Sequence, residues 1–170
     1  MVTVLVRIVF VLLASIACIV SFKNGNDFGA VALLLLVVFA VFDYFRSGTV
    51  WVSYRYIGKG DFKSAEKHIS HIKKPEWLRV AHRASYHTVL GYISLHKNEL
   101  KIASQEFGKS LDIGLKHAND RLMAQINLAS IYHRLNKPTS AKKALAEAEK
   151  YKVSGFEKEL KNLRKKINKG

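Results

Sequence analysis

The feature that most constrains this chain is a repeat with a period of 38 residues in its last two thirds. An alanine returns at Ala65, Ala103 and Ala141, and the residue types around it return in the same order. A period of about 20–50 residues is typical of proteins built from stacked copies of one small supersecondary unit. The sequence therefore predicts a stack of similar units, in which each copy packs against its neighbours.

Each copy has the pattern of two short helices joined by a turn. The turn residues are Gly60, Asn98 and Asn136, and glycine and asparagine most readily take the left-handed backbone conformation that ends a helix. Two further positions repeat by type, a small residue before the turn and an apolar residue after it. The small residues are Ser53, Gly91 and Ala129, and the apolar residues are Ile69, Phe107 and Leu145. The pattern predicts three helix–turn–helix units whose helices approach each other closely.

This pattern resembles the tetratricopeptide repeat, a helix–turn–helix unit, over about residues 50–152. The resemblance implies an all-α fold in which three units form an α-solenoid. The usual period of that family is about 34 residues, so each copy here is longer by about one helical turn. We expect a lengthened helix or linker between positions 72 and 84 and between positions 111 and 121. Residues 153–170 have apolar side chains at helical spacing among basic ones, which predicts an amphipathic capping helix.

The resemblance also implies a groove, lined by the first helix of each unit, that commonly holds a peptide or a helix of another protein. The groove residues that it implies are Tyr54, Ile57, Thr88, Tyr92, Leu95, His96, Met123, Ile126, Ser130, His133 and Arg134. Aromatic and apolar anchors mixed with a few hydrogen-bond donors suit peptide binding. The alternative for each of these residues is packing between helices.

The first 46 residues differ from the rest because they are apolar and almost uncharged. Two apolar runs, about residues 3–22 and 28–45, are each close to the roughly 20 residues that a helix needs to cross a bilayer. The polar residues 23–27 between them include a glycine and predict a tight turn. We therefore expect a two-span transmembrane hairpin. The alternative for the first run is a cleaved signal peptide.

The charge that follows the second run predicts the orientation of this hairpin. The basic residues directly after it are Arg46, Arg55, Lys59, Lys63 and Lys67. Because basic residues next to membrane spans favour the cytoplasmic side, we expect both termini in the cytoplasm. The resulting prediction is an integral membrane protein of the bacterial inner membrane.

All of the net charge of +15 lies in residues 46–170. A basic surface beside a membrane is attracted to anionic lipid, and the capping helix is one candidate for such a contact. Nucleic acid is the other partner class that a basic domain suggests, but the sequence has no recognition motif for it, so no nucleic-acid binding is expected.

The sequence offers few residues for catalysis or metal binding. It has no phosphate-binding loop, dinucleotide motif or zinc-type set of cysteines. His68 and His71 are close enough to share a metal but have no third ligand, and Cys18 lies inside the first apolar run. We therefore expect no cofactor, no metal and no enzymatic activity.

Taken together, these features predict a membrane-anchored scaffold or adaptor that presents a peptide-binding groove on the cytoplasmic face. Its partner would be another protein, in particular a component of a membrane complex. The alternative is an accessory subunit of such a complex, in transport, envelope or polysaccharide assembly, that binds mainly through its transmembrane hairpin. The oligomeric state is open at this stage.

Overall fold

The structure is a computed structural model that describes residues 2–25, 29–38, 49–151 and 153–169. Within these ranges the chain forms helices and short turns and contains no strand, which confirms the predicted all-α class. The chain divides into two compact units, Met1–Ser47 and Gly48–Gly170.

The described residues of the N-terminal unit form two helices. Helix α1 spans Val2–Lys23, and helix α2 covers residues 29–38. The Cys18 thiol lies 3.2 Å from the carbonyl oxygen of Ala30, as a weak hydrogen bond between the two helices. Counted over the residues that the structure describes, no helix is long and apolar enough to cross a membrane. Large parts of the predicted spans lie outside those residues, namely the side chains of 3–8, 10 and 11 and all of 28 and 39–45.

The second unit consists of three helix pairs and a final helix. The pairs are α3 (Val50–Gly58) with α4 (Phe62–Ile69), α5 (Val80–His96) with α6 (Leu100–Ile113), and α7 (Ala118–Arg134) with α8 (Pro138–Lys150). Helix α9 (Glu157–Lys169) follows and contacts both α7 and α8. The starts of α4, α6 and α8 are 38 residues apart, as are both ends of α5 and α7. The sequence period is therefore the period of the helices.

The turns within the pairs form where the sequence predicts them. Gly60, Asn98 and Asn136 all have positive φ angles, of 74°, 62° and 53°. This left-handed conformation ends the first helix of each pair and lets the second helix begin two residues later. Asp61 then caps α4, because its carboxylate accepts a hydrogen bond from the backbone N–H of Ser64 at 3.0 Å.

The small residues of the repeat allow the two helices of a pair to pack closely. Ala65, Ala103 and Ala141 are fully buried. A Cβ atom at Gly91 would lie only 3.0 Å from the ring of Phe107. The third pair has a larger residue in the first helix and a smaller one in the second at the matching positions, so small and large side chains compensate across each pair.

The extra length of each copy is used in two different ways. Helix α4 has 8 residues, and a linker of residues 70–79 follows it, including a 3-10 turn at Pro75–Trp77. Helix α6 has 14 residues and is followed only by residues 114–117. The first copy therefore has the longer linker and the second copy has the lengthened helix.

Candidate functional site

The first helices of the three pairs carry equivalent residues four positions before each helix ends. These residues are Tyr54 in α3, Tyr92 in α5 and Ser130 in α7. The Tyr54 hydroxyl donates a hydrogen bond to Oδ1 of Asp120 at 2.7 Å, so it ties α3 to the start of α7. The Tyr92 hydroxyl accepts a longer bond from Nδ2 of Asn127 at 3.4 Å, which ties α5 to α7. The two tyrosine hydroxyls therefore connect α3 and α5 to α7.

Burial raises the pKa of both tyrosine hydroxyls. Desolvation raises the pKa of Tyr54 far above its usual value, and the hydrogen bond and negative charge of Asp120 raise it further. Desolvation likewise raises the pKa of Tyr92 to about 12, although the hydrogen bond from Asn127 acts in the opposite direction. Tyrosine is neutral at physiological pH even without such a shift, so the raised pKa values extend the neutral form to more alkaline pH.

A cleft of about 540 Å³ opens beside the third member of this series, where Ser130 replaces tyrosine. Helix α7 contributes three lining residues, and the chain from Gly155 into α9 contributes the rest. The lining residues are Ile126, Asn127, Ser130, Gly155, Lys158, Glu159, Asn162, Leu163 and Lys166. A serine side chain is too small to reach across to another first helix, as Tyr54 and Tyr92 both do to α7. We attribute the open space to this difference.

The cleft has an apolar floor and a polar, mostly basic rim. Ile126 and Leu163 form the floor and are only 5 % and 8 % exposed. Lys158, Glu159 and Lys166 are exposed at the rim. Such a surface can hold an apolar side chain at its base and pair a carboxylate with either lysine.

Helix α9 occupies the place of a further first helix. A fourth copy of the repeat would begin its first helix at position 156, and α9 begins at Glu157. Tyr54 and its partner Asp120 are 66 residues apart in the sequence. The residue 66 positions after Tyr92, which would be its equivalent partner, is Lys158 on the rim. Lysine has no acceptor for a tyrosine hydroxyl. The contact that closes the groove in the first copy is therefore not repeated at this end.

Of the groove residues that the sequence predicted, Ile126 and Ser130 line this cleft. Ile57 and Leu95 pack against the hydrophobic cores. Thr88 is 1 % exposed, and its hydroxyl donates to the carbonyl oxygen of Ala84, so it lies beneath the surface. Met123 and His133 are half-buried on α7.

His96 and Arg134, the last residues of α5 and α7, lie at the turn end of the stack. His96 stacks on Phe62 with ring centroids 4.1 Å apart, and Arg134 donates to the side-chain oxygen of Asn98. Each of them contacts the turn region of the preceding pair. Their observed contacts therefore connect consecutive pairs.

The contribution of α9 to the cleft was absent from the sequence prediction. The signal for it was available, because the period of 38 continues past the third copy and places a first helix at position 156. A capping helix at that register must expose one side to the same groove as α7. Lys158 and Asn162 could have been named from this extension.

A separate charged cluster lies between α5 and α6. Nδ1 of His87 is 2.6 Å from Oε2 of Glu106, and Nζ of Lys109 is 2.7 Å from the other carboxylate oxygen. Burial acts to raise the pKa of Glu106, but the hydrogen bonds and charges of His87 and Lys109 outweigh it and hold the pKa below its usual value. Among the described residues, no group of three His, Cys, Asp or Glu side chains could hold a metal ion.

No protein-family model, no curated protein and no solved structure matches this chain. The resemblance to the tetratricopeptide repeat accordingly stays a prediction from the sequence.

Proposed function

We propose that this protein is a membrane-anchored scaffold that binds a segment of a partner protein in the cleft between α7 and α9. The observation that carries the proposal is the series Tyr54, Tyr92 and Ser130 at equivalent positions. Two tyrosines close the groove with internal hydrogen bonds, and the serine coincides with an open cleft. Within this series, the open position is the one at Ser130, near the C-terminal end of the stack.

The shape and chemistry of the cleft favour an extended peptide segment as the occupant. Its volume lies in the range of about 300–1,000 Å³ that is usual for binding sites. Ile126 and Leu163 offer a base for one apolar side chain. Asn162 offers an amide group to a peptide backbone, and Asn127 offers its side-chain oxygen, since its Nδ2 already donates to Met123 and Tyr92. Lys158 and Lys166 at the rim favour a segment with an acidic residue next to its apolar anchor.

The helix pairs support a stack of tetratricopeptide type as the scaffold. Each pair has the small residue, the left-handed turn residue and the buried alanine that the repeat predicts. We propose that residues 50–152 are three such units in a solenoid and that α9 caps it. A terminal helix with one polar face is the usual end of such a stack.

We further propose that the first 46 residues anchor the chain in the membrane with both termini in the cytoplasm. Supporting observations come from α1 and α2, whose described apolar side chains are largely unpacked. Those that are more than half exposed include Leu12, Leu13, Ile16, Ile19 and Leu35. An apolar surface of this extent marks an interaction site, and lipid is the partner that fits a segment with so little charge.

Site-specific photo-crosslinking of the full chain in membranes tests the cleft. A photoreactive residue at Asn162 reports on the cleft, and one at Gln105, exposed on α6, is the control position. We expect a crosslinked protein from position 162 and none from position 105. Ser130→Tyr should abolish this product because it fills the cleft as the tyrosines do elsewhere, whereas Ser104→Tyr on α6 should retain it.

Equal products from both positions, or a product that Ser130→Tyr leaves unchanged, would contradict the proposal. Replacing residues 1–46 with an unrelated two-span anchor separates the scaffold from the alternative. The scaffold retains its crosslink at position 162 after the replacement. An accessory subunit that binds through its hairpin loses its partner.

A further inference from the structure

The linker between α4 and α5 carries an exposed tryptophan directly beside a buried leucine. Leu78 is buried in the core of the first two pairs, together with Val50 and Val89, and Pro75 begins the 3-10 turn that precedes it. Trp77, directly before this anchor, is 59 % exposed, and Val80 is 58 % exposed. Exposing a large aromatic ring to water is energetically unfavourable, and tryptophan is enriched at interfaces where one side is apolar and the other is wet.

The charges around this tryptophan are predominantly positive. Nζ of Lys74 lies 4.5 Å from the centre of the Trp77 ring, in the geometry of a cation–π contact. Lys73 and Arg79 are also exposed, and Glu76 is the acidic residue of the linker. A cluster of basic side chains around an aromatic ring is complementary to a negatively charged surface.

The other tryptophan of the chain has the same character. Trp51 is 56 % exposed in the first turn of α3, and the guanidinium carbon of Arg55 lies 5.1 Å from the centre of its ring. Its neighbour Val50 belongs to the same core cluster as Leu78, the neighbour of Trp77. Both tryptophans of the protein are thus exposed, paired with a cation and attached to one core.

We propose that the surface of Trp77, Lys73, Lys74 and Arg79, which we name the linker patch, contacts the headgroups of anionic lipids. Tryptophan prefers the interface between water and hydrocarbon because its ring is apolar and its N–H is polar. Lysine and arginine are attracted to the negative potential of an anionic leaflet. The proposal rests on the membrane anchoring proposed above, because anchoring confines the chain to the bilayer surface.

The two tryptophans make the contact measurable in the full chain. Trp51→Phe leaves Trp77 as the sole reporter, and Trp77→Phe leaves Trp51. The variants are reconstituted into vesicles of phosphatidylcholine, or of phosphatidylcholine mixed with phosphatidylglycerol. Quenching by brominated lipid chains then reports contact with the bilayer, and quenching by acrylamide reports contact with water. We expect Trp77 to be quenched by brominated lipid, and protected from acrylamide, chiefly in the anionic vesicles.

Reversing the charges of the linker patch tests whether its lysines hold Trp77 at the lipid, or whether Trp77 is near the bilayer only because the chain is anchored there. Lys73→Glu with Lys74→Glu should reduce the lipid quenching of Trp77 several-fold. Lys142→Glu with Lys143→Glu on α8 changes the net charge equally at another exposed surface and should leave it unchanged. Circular dichroism checks that each variant is folded.

Two results would overturn the linker patch as a lipid site. One is free access of acrylamide to Trp77 in anionic vesicles, and the other is lipid quenching that is equal with and without phosphatidylglycerol. Protection from acrylamide without lipid quenching also overturns it, since another part of the chain or a second copy, and not lipid, then covers the patch. Flotation of the vesicles at alkaline pH measures the anchoring separately. A chain that does not float is added to preformed anionic vesicles, where the same quenching still tests the patch.

Discussion

The second and third helix pairs have first helices of equal length at the same position in the repeat, but the side chains on these helices make different contacts. Both α5 and α7 have 17 residues, but Tyr92 fills its side of the groove and Ser130 coincides with a cleft. The second pair also contains the 2.6 Å contact between His87 and Glu106, whereas the third has Gln125 and Ala144 at those positions. The comparison teaches that the repeat preserves helix geometry, while single positions decide what each copy does.

The largest effect is expected from exchanging the small and large residues that compensate across a pair. Gly91→Ala should destabilise the protein by about 1–3 kcal/mol, because the added Cβ would lie 3.0 Å from the buried ring of Phe107. Gly91→Ala combined with Phe107→Leu, which reproduces the third pair, should recover most of this loss. Chemical denaturation of the four proteins of the double-mutant cycle measures the coupling.

The control for this exchange is Gly108→Ala on α6. A Cβ there would meet no other atom within 4 Å, so the gain in helix propensity should stabilise the protein by about 0.5–1 kcal/mol. The argument that side-chain sizes compensate between the helices fails if alanine destabilises the protein at both glycines. It also fails if the effects of Gly91→Ala and Phe107→Leu are additive.

The Glu106 carboxylate of the second pair should make the stability of the folded protein sensitive to acid. The pKa of Glu106 is lowered in the folded state from its usual value of 4.5. Its contribution to stability is therefore complete above that value and is lost as the pH falls through the lowered pKa. We expect a contribution of about 1.5–2 kcal/mol, the lower end of the range for a hydrogen bond to a charged group, because the charge of the exposed Lys109 is screened by solvent.

Replacing Glu106 by alanine together with His87→Gln introduces the residues of the third pair. The double variant should lose less stability between neutral and acidic pH than the parent protein, as measured by denaturation at a series of pH values. An unchanged acid dependence would mean that other carboxylates determine it. The double variant avoids leaving a buried histidine without its partner.

The smallest effect is expected from removing the tyrosine hydroxyls. Tyr54→Phe leaves Asp120 without its 2.7 Å hydrogen bond and should cost about 1 kcal/mol. Tyr92→Phe removes only the 3.4 Å contact with Asn127, which also donates to the carbonyl oxygen of Met123 at 2.8 Å. Its cost should be about half as large or less, and the difference is measurable by thermal denaturation. Equal costs would indicate that the two tyrosines close the groove equally well.

Much of the second unit could be predicted because the same residue types recur at the same spacing in three copies. Gly60, Asn98 and Asn136 were expected to end helices, and each of them has a positive φ angle. The buried alanines follow from the same alignment. The residues that line the groove were less predictable. Thr88, Tyr92 and Leu95 all lie in α5, and only the packing of the helices decides which side chains of a helix reach the surface.

The sequence by itself determined the helical class, the period, the turns and the division between an apolar N-terminal segment and a basic repeat region. These are local properties of the chain, set by side-chain size, charge and backbone preference. Only the tertiary structure decided that Tyr54 reaches Asp120 across 66 residues, that α9 forms one wall of the cleft, and that Trp77 faces outward while Leu78 faces the core. These outcomes depend on which helices become neighbours, and that depends on the packing of the whole stack.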